Sequence, residues 1–502
     1  MNSDGRIAKA YDLLFWFVLA AAFFVRWEFV FSDKMLSDEA LYAWSAQRIL
    51  EHPQLIFSKE IIAYHPPLFP LLLAAGHLLF PAPVAIRLIP MLINWAGIIL
   101  IYLIGRNILS PFAGLFAAIA LAFDYLFIAS GTNVLIDSPL TVAYMLLVWF
   151  LLKVNAESSR RLDWVVGVAG AALVLLKWSG ILGLAITGFY YLVCLKGISL
   201  PRRLGRFFVP ASVVLGVAAT LLLNNYFQMG TIWPDTTALQ GLTDANPPGY
   251  YFQNFYKIIT LPGWLFVVLV GAGVVALREK DRSILSFLLF WFLLIFVSIQ
   301  VLPSRIVRYA QPLLPPAFLL CGAGAEFLIE RFGKNANYRQ VSRVLAMVLL
   351  AAFYLVHYPK ERALIAQNKI KCVGYAQAGE WLRAHDDGRT LLVSTSARVV
   401  RYFTGINFQE FGGRVVGLPG RPEDLESLAA AAPQRVLLVI DVWEPSWFIP
   451  MTSGKIERLK RDGFRLAHVV ERYAYFPPEE YVGTMPVVWI FERPAAATSP
   501  QE

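Results

Sequence analysis

The sequence predicts a polytopic α-helical membrane protein with a small α/β domain at its C-terminal end. Three observations carry that expectation. Of 502 residues, 57% are hydrophobic and 16% charged, and the mean hydropathy is +0.56, where soluble domains sit near or below zero. Residues 1–358 hold 44 of the Asp, Glu, Lys and Arg side chains, whereas the much shorter remainder, 359–502, holds 35, about twice the density. Apolar runs of roughly 17–25 residues, the length that crosses a bilayer, recur through the first part and stop before the second. Together these exclude a soluble globular chain, a disordered chain of low hydrophobicity, and a periodic Gly/Pro fibre. Cys194, Cys321 and Cys372 provide neither a disulfide framework nor the close spacing of a zinc knuckle.

Eleven runs satisfy the length criterion, near 13–31, 84–104, 112–130, 138–154, 162–176, 178–195, 207–225, 262–277, 283–302, 311–329 and 342–358. The first ends in Phe29-Val30-Phe31 rather than in small residues, so it reads as a signal anchor and not a cleaved leader. A twelfth stretch, Leu68 to Phe80, is short, follows Pro66-Pro67 and contains Pro70. The basic residues decide how to count it. With a cytoplasmic N-terminus and eleven crossings, 17 Lys and Arg fall inside, among them Arg160, Arg161, Arg202, Arg203, Arg206, Arg278, Lys280 and Arg282, against nine outside. A twelfth crossing would turn the later basic clusters outward, against the positive-inside rule. Leu68 to Phe80 is therefore expected to lie in the outer interface, and residues 359–494 to emerge outside. The net charge of +9 is accounted for by cytoplasmic loops facing anionic lipid, and no nucleic-acid partner is implied.

Two long outer segments, 32–83 and 226–261, interrupt the membrane pattern, and loops of that length usually carry function. In the first, Ser37-Asp38-Glu39-Ala40-Leu41-Tyr42 opens a helix whose positive first turn suits Asp38 and Glu39. Asp137 begins a run at the same predicted face, in Ile136-Asp137-Ser138-Pro139. These carboxylates have two readings. They are helix-terminal charges, or they are a pair able to deprotonate a hydroxyl and orient an acceptor. Lys177, in Leu176-Lys177-Trp178-Ser179-Gly180, contradicts the charge bias, so it either snorkels or binds an anion. Arg305, Arg308 and Tyr309 precede another run on the same side, as interface anchors or as cations that converge on a phosphate. His65 stands alone in Tyr64-His65-Pro66-Pro67, with no second histidine at metal-ligand spacing. Asp124 falls within a run and is a functional candidate by its position, ranked below Asp38 and Asp137.

The ordered series Asp38-Glu39-Ala40-Leu41-Tyr42, His65-Pro66-Pro67-Leu68, Arg87-Leu88-Ile89-Pro90, Leu135-Ile136-Asp137-Ser138-Pro139, Leu176-Lys177-Trp178-Ser179-Gly180 and Arg308-Tyr309-Ala310-Gln311-Pro312 covers about residues 1–360. It resembles the ArnT-like and protein-mannosyltransferase glycosyltransferases that use polyprenyl-phosphate sugars. The resemblance implies a GT-C fold with about eleven spans and interfacial helices, and a juxtamembrane active site facing the periplasm or lumen. It implies Asp38 as the acidic residue of the first outer loop, with Glu39 beside it, and Asp137 as a second acid. It also implies Lys177 and Arg308 as binding residues for the lipid phosphate, and Tyr309, His65 and Arg305 stand with them as candidate substrate-binding residues. One departure stands out: where aminoarabinose transferases carry Lys-Pro in the first loop, this chain has His65-Pro66. The implied reaction is hexosyl or pentosyl transfer with inversion at the anomeric carbon.

The implied partners are a polyprenyl-phosphate sugar, membrane lipid and an acceptor that is a lipid, glycan or protein. The sequence names no cofactor and leaves a divalent metal open. The expected location is the inner (plasma) membrane, multi-pass, with the active site and the C-terminal domain extracytoplasmic. The division that follows is a membrane domain over 1–358, an α/β domain over 359–494 and a disordered tail over 495–502. Within the α/β domain, helices are expected over 374–385, 422–432 and 455–461, and strands over 391–394, 435–442 and 487–491. The rival function is a lipid or sugar transporter or flippase. Transporters often show repeated halves and broken helices at the midplane, whereas here no repeat is evident and polar residues collect at one face.

Overall fold

A computed structural model describes residues 3–32, 34–62, 65–80, 84–155, 157, 159–232, 249–301, 305–419, 421–431, 435–443, 451, 453–476 and 481–495. The tail expected to be disordered lies, beyond Ala495, outside the described residues. The chain forms two compact units, residues 1–30 with 48–361, and residues 31–47 with 362–502. The second outer segment, 226–261, is described only at its two ends.

Each of the eleven apolar runs is helical. Ser3–Trp27, Val84–Ile108, Leu200–Met229, Gly263–Lys280, Arg282–Val301, Leu314–Phe332 and Ala336–Lys369 are long helices, and Asp137–Leu151 and Arg160–Leu176 are shorter. The run at 112–130 divides into Pro111–Ala122 and Tyr125–Gly131, bent by 61°. The run at 178–195 divides into a 3-10 turn, Trp178–Ile181, an α-helix, Leu182–Phe189, and a π turn, Tyr190–Cys194. Among the described residues six helices are long and apolar enough to cross a membrane, or seven if the bent pair counts as one. The others are shorter or carry charge at one end, such as Arg160, Arg161 and Asp163. The stretch from Leu68 forms a helix of 12 residues, Leu68–Leu79. At 1.5 Å per residue it is about 18 Å long, well short of the roughly 30 Å hydrocarbon core. Large apolar side chains such as Phe17, Phe24, Trp264, Leu355 and Val356 are exposed on the long helices, as expected of surfaces solvated by lipid.

Asp124 does not sit mid-helix. It caps Tyr125–Gly131 at the bend, accepting from Phe127 N at 3.2 Å, Thr260 N at 3.1 Å and Thr260 Oγ1 at 3.2 Å. A break in a helix frees backbone N–H groups that lipid cannot satisfy, so an acid here has a structural task. Helix packing elsewhere relies on small residues. Helices Gly263–Lys280 and Leu314–Phe332 approach so closely that a methyl on Gly324 would lie 1.9 Å from Leu269 O, and one on Gly273 would lie 2.2 Å from Leu320 O.

The second unit is a layered α/β domain around a five-stranded mixed sheet of order β2-β1-β3-β5-β4, with β1 Leu391–Ser394, β2 Val415–Gly417, β3 Val436–Asp441, β4 Arg465–Phe476 and β5 Tyr481–Arg493. β1 runs parallel to β2 and β3, whereas β5 is antiparallel to β3 and β4. Alternate residues feed opposite cores. Leu392, Leu437, Val439, Val488 and Ile490 pack with helices Tyr375–Ala384 and Ala397–Thr404. Leu391, Val393, Leu438, Ile440 and Phe491 pack with Leu425 and Leu459, from helices Pro422–Ala431 and Ser453–Arg461. Met35 and Ala40 join the first of these cores, and Met35 N donates to Cys372 O at 2.9 Å. The segment 31–47 is therefore built into this domain.

Gly324→Ala should destabilise the protein by about 1–3 kcal/mol, because the added carbon must push two backbones apart. A fall in the thermal unfolding midpoint of detergent-solubilised protein is the readout, and an unchanged midpoint contradicts the close approach.

Candidate functional site

Asp137 is the first residue of helix Asp137–Leu151, one position inside the cap, which is Ile136. Its carboxylate is buried, at 3% exposure, and holds two cations from distant parts of the chain. Lys177 Nζ donates to Oδ1 at 2.9 Å, and Arg308 Nε lies 3.3 Å from Oδ2. Tyr309 completes the group, with Lys177 Nζ 4.2 Å and the Arg308 guanidinium carbon 5.8 Å from its ring centroid. A buried carboxylate requires such partners, and the helix N-terminus adds a favourable dipole.

Local structure explains why these side chains meet. Lys177 is extended, at φ −151° and ψ 142°, between helix Arg160–Leu176 and the 3-10 turn Trp178–Ile181. Gly180 folds that turn back so tightly that a methyl would lie 2.1 Å from Leu173 O. Tyr144, two turns beyond Asp137 on the same helix, donates to Ser179 O at 2.8 Å. The helix carrying the acid thus also grips the turn that carries the lysine. Arg308 comes from a 3-10 helix, Val307–Leu313, which runs directly into helix Leu314–Phe332. Tyr251 donates to Ile306 O at 3.2 Å just before it.

The head of the Asp137 helix is fixed from behind by a buried polar relay. Asn94 donates to Ser138 Oγ at 2.7 Å and to Phe127 O at 2.9 Å. Asn94 Oδ1 accepts from Arg26 Nε at 2.6 Å, and Arg26 also donates to Ala122 O at 2.9 Å and Ala22 O at 3.0 Å. Sequence reasoning passed over Arg26, Asn94 and Tyr144. The available signal was that Arg26 and Asn94 are polar residues inside or at the end of apolar runs.

The other candidates fall as follows. Asp137 makes its ion pairs with Lys177 and Arg308, not with Arg305 or His65. Arg305 donates to Gln300 O, in the last turn of helix Arg282–Val301, at 3.4 Å. His65 lies in the bend that enters Leu68–Leu79 and is half-buried. Asp38 and Glu39 belong to the second unit. Glu39, fully buried, accepts from Leu36 N at 2.9 Å. Leu36, not Ser37, is the capping residue, since its carbonyl accepts the first helical bond from Ala40 N. Glu39 is therefore the back-reaching arm of a capping box. The partly exposed Asp38 carboxylate lies 3.6 Å from Arg398, a residue of helix Ala397–Thr404, which the sequence analysis did not anticipate. Among the described residues no three His, Cys, Asp or Glu side chains cluster as a metal site.

Residues 64–224 match the dolichyl-phosphate-mannose-protein mannosyltransferase family. The whole chain superposes on ArnT from Cupriavidus metallidurans in the apo state with a TM-score of 0.64 at 16% identity, covering 99% of this chain and 100% of that one. This is an ArnT-like GT-C fold. The same ArnT bound to undecaprenyl phosphate gives 0.62 at 15% identity, over 98% and 99% of the two chains. The apo oligosaccharyltransferase of Archaeoglobus fulgidus gives 0.61 at 11%, over 95% of this chain and 88% of that one. An uncharacterized protein of Aquifex aeolicus is 24% identical over 345 residues, 66% of either chain. The chain thus has the fold of ArnT and of the oligosaccharyltransferase, with several helices long and apolar enough to cross a membrane.

Removing one cation should expose the cost of an incompletely paired buried acid. Lys177→Met should destabilise by about 3 kcal/mol, and adding Asp137→Asn should recover much of it. A double-mutant cycle on thermal stability tests this, and additive losses would mean the pair is uncoupled.

Proposed function

We propose that this ArnT-like chain transfers a sugar from a polyprenyl-phosphate donor to an acceptor at the extracytoplasmic face of the plasma membrane. The observation that carries the reading is the convergence of Lys177 and Arg308 on Asp137 beside Tyr309. Two cations and one carboxylate leave a net charge of +1. A polyprenyl-phosphate sugar is a phosphodiester with one negative charge and matches it. As the glycosidic bond breaks, its electron pair passes to the phosphate, whose charge grows toward about −2, so cations fixed beside it favour the transition state over the bound donor. The lipid-bound ArnT structure has undecaprenyl phosphate in a protein of the same fold, which supports this donor class.

In the reaction, the acceptor oxygen attacks the anomeric carbon from the face opposite the phosphate, giving inversion. If the acceptor is a hydroxyl, its proton passes to a base, and Asp38 is assigned that role from the resemblance. If the acceptor is an ionised phosphate, Asp38 orients it instead. Asp137 holds Lys177 and Arg308 in place and shares them with the donor phosphate. Glu39 supports Asp38 by fixing the start of its helix, and Arg305 and His65 are assigned to substrate binding, the latter where aminoarabinose transferases carry a lysine.

Purified protein in nanodiscs should release polyprenyl phosphate from a polyprenyl-phosphate sugar when acceptor is present. Asp38→Asn should lower that rate by about 10²–10⁴-fold without loss of folded protein. Full activity of the variant removes Asp38 from the site, and movement of the intact donor across the bilayer without cleavage favours a transporter. A reporter that is active only outside the cytoplasm, fused after residue 360, should be active. A cytoplasmic signal there overturns the orientation.

A further inference from the structure

Gln311 has no part in the site as described so far, yet it lies on the same 3-10 helix as Arg308. It is completely buried, at 0% exposure, and among the described residues neither Nε2 nor Oε1 of its amide has a hydrogen-bond partner. A buried amide with both ends unmet is costly, and native interiors seldom keep one. Its position gives the cost a purpose. A 3-10 helix has three residues per turn, so side chains at i and i+3 eclipse. Arg308 and Gln311 therefore share one face, about 6 Å apart along the axis, and Arg308 is the residue that reaches Asp137.

The chemistry of the amide narrows the ligand. A phosphate offers only acceptor oxygens, and Lys177 and Arg308 already supply donors. An amide presents a donor and an acceptor together, which a hydroxyl matches because it too gives and receives. We propose that Gln311 binds a hydroxyl of the donor's sugar, next to the phosphate held by Lys177 and Arg308. This rests on the polyprenyl-phosphate reading above and adds a sugar-recognition contact to it. Lys177 and Arg308 hold what every such donor shares, and Gln311 reads part of what differs.

The test compares polyprenyl methyl phosphate, a sugar-free phosphodiester with the donor's single negative charge, with a panel of polyprenyl-phosphate hexoses and pentoses, using purified full-length protein in nanodiscs, with bare polyprenyl phosphate as a further ligand. The wild type should bind at least one sugar-bearing lipid about tenfold more tightly than the methyl diester, the gain of one well-made buried hydrogen bond. Gln311→Leu and the unbranched Gln311→Met should abolish that gain, keep the affinity for the methyl diester, and leave the melting temperature equal or raised. If the wild type does not bind bare polyprenyl phosphate, the donor reading itself fails. If it does, three results overturn the role of Gln311: no sugar-dependent gain in the wild type, an unchanged gain in both variants, or an equal weakening of the sugar-bearing lipid and the methyl diester.

Discussion

A carboxylate buried at the head of an apolar helix must be paired, and the membrane unit of this protein is organised around meeting that demand for Asp137. The acid recruits Lys177 from the break after one helix and Arg308 from a short 3-10 segment far along the chain. Both cations meet the buried acid from partly buried positions, so the three segments are held together by charge as well as by packing. The arrangement keeps one positive charge in excess, which ties the interaction that stabilises the fold to the chemistry proposed for it.

Support for that arrangement comes from backbone groups that lipid would leave unsatisfied. The bend between Pro111–Ala122 and Tyr125–Gly131 frees carbonyls and amides at membrane depth. Arg26 donates to one carbonyl before the bend, Ala122 O, and Asp124 accepts from an amide after it, Phe127 N. Asn94 links that repair to Ser138, the neighbour of Asp137. A helix break that would otherwise be a defect thus becomes an anchor for the Asp137 cluster. Packing by small residues at Gly273 and Gly324 brings neighbouring helices close enough for dispersion contacts to hold a bundle that the hydrophobic effect cannot hold in lipid.

Legibility followed the physics of each feature. Asp137, Lys177 and Arg308 could be singled out because each is charged where its surroundings argue against charge, and the structure brings all three together. Glu39 was legible only as an acid near a helix start, and its burial and its bond to Leu36 N make it a cap. Asp124 stood out as an acid within an apolar run, yet its partners are backbone amides and a threonine. Strand Val415–Gly417 was missed because three residues carry too little periodicity to stand out, and helix Ala397–Thr404, although strongly amphipathic, because it is only eight residues long. Strand Arg465–Phe476 went unassigned because charged residues interrupt its apolar positions and it lies at the edge of the sheet.

The sequence by itself determined that this is a bundle of apolar helices with a separate α/β body, because hydropathy and charge density act locally and leave their mark on every segment. It also determined which few side chains violate the local pattern. Only the tertiary structure decided what those violations are for. Whether an acid caps a helix, repairs a bend or gathers two cations depends on which donors other segments bring to it, and Lys177 and Arg308 lie tens to more than a hundred residues from Asp137. The same holds for residues 31–47, which look like a loop of the membrane region and yet fold with the C-terminal domain. Met35 and Ala40 complete a core whose other members are more than three hundred residues away, and no local rule records a contact of that range.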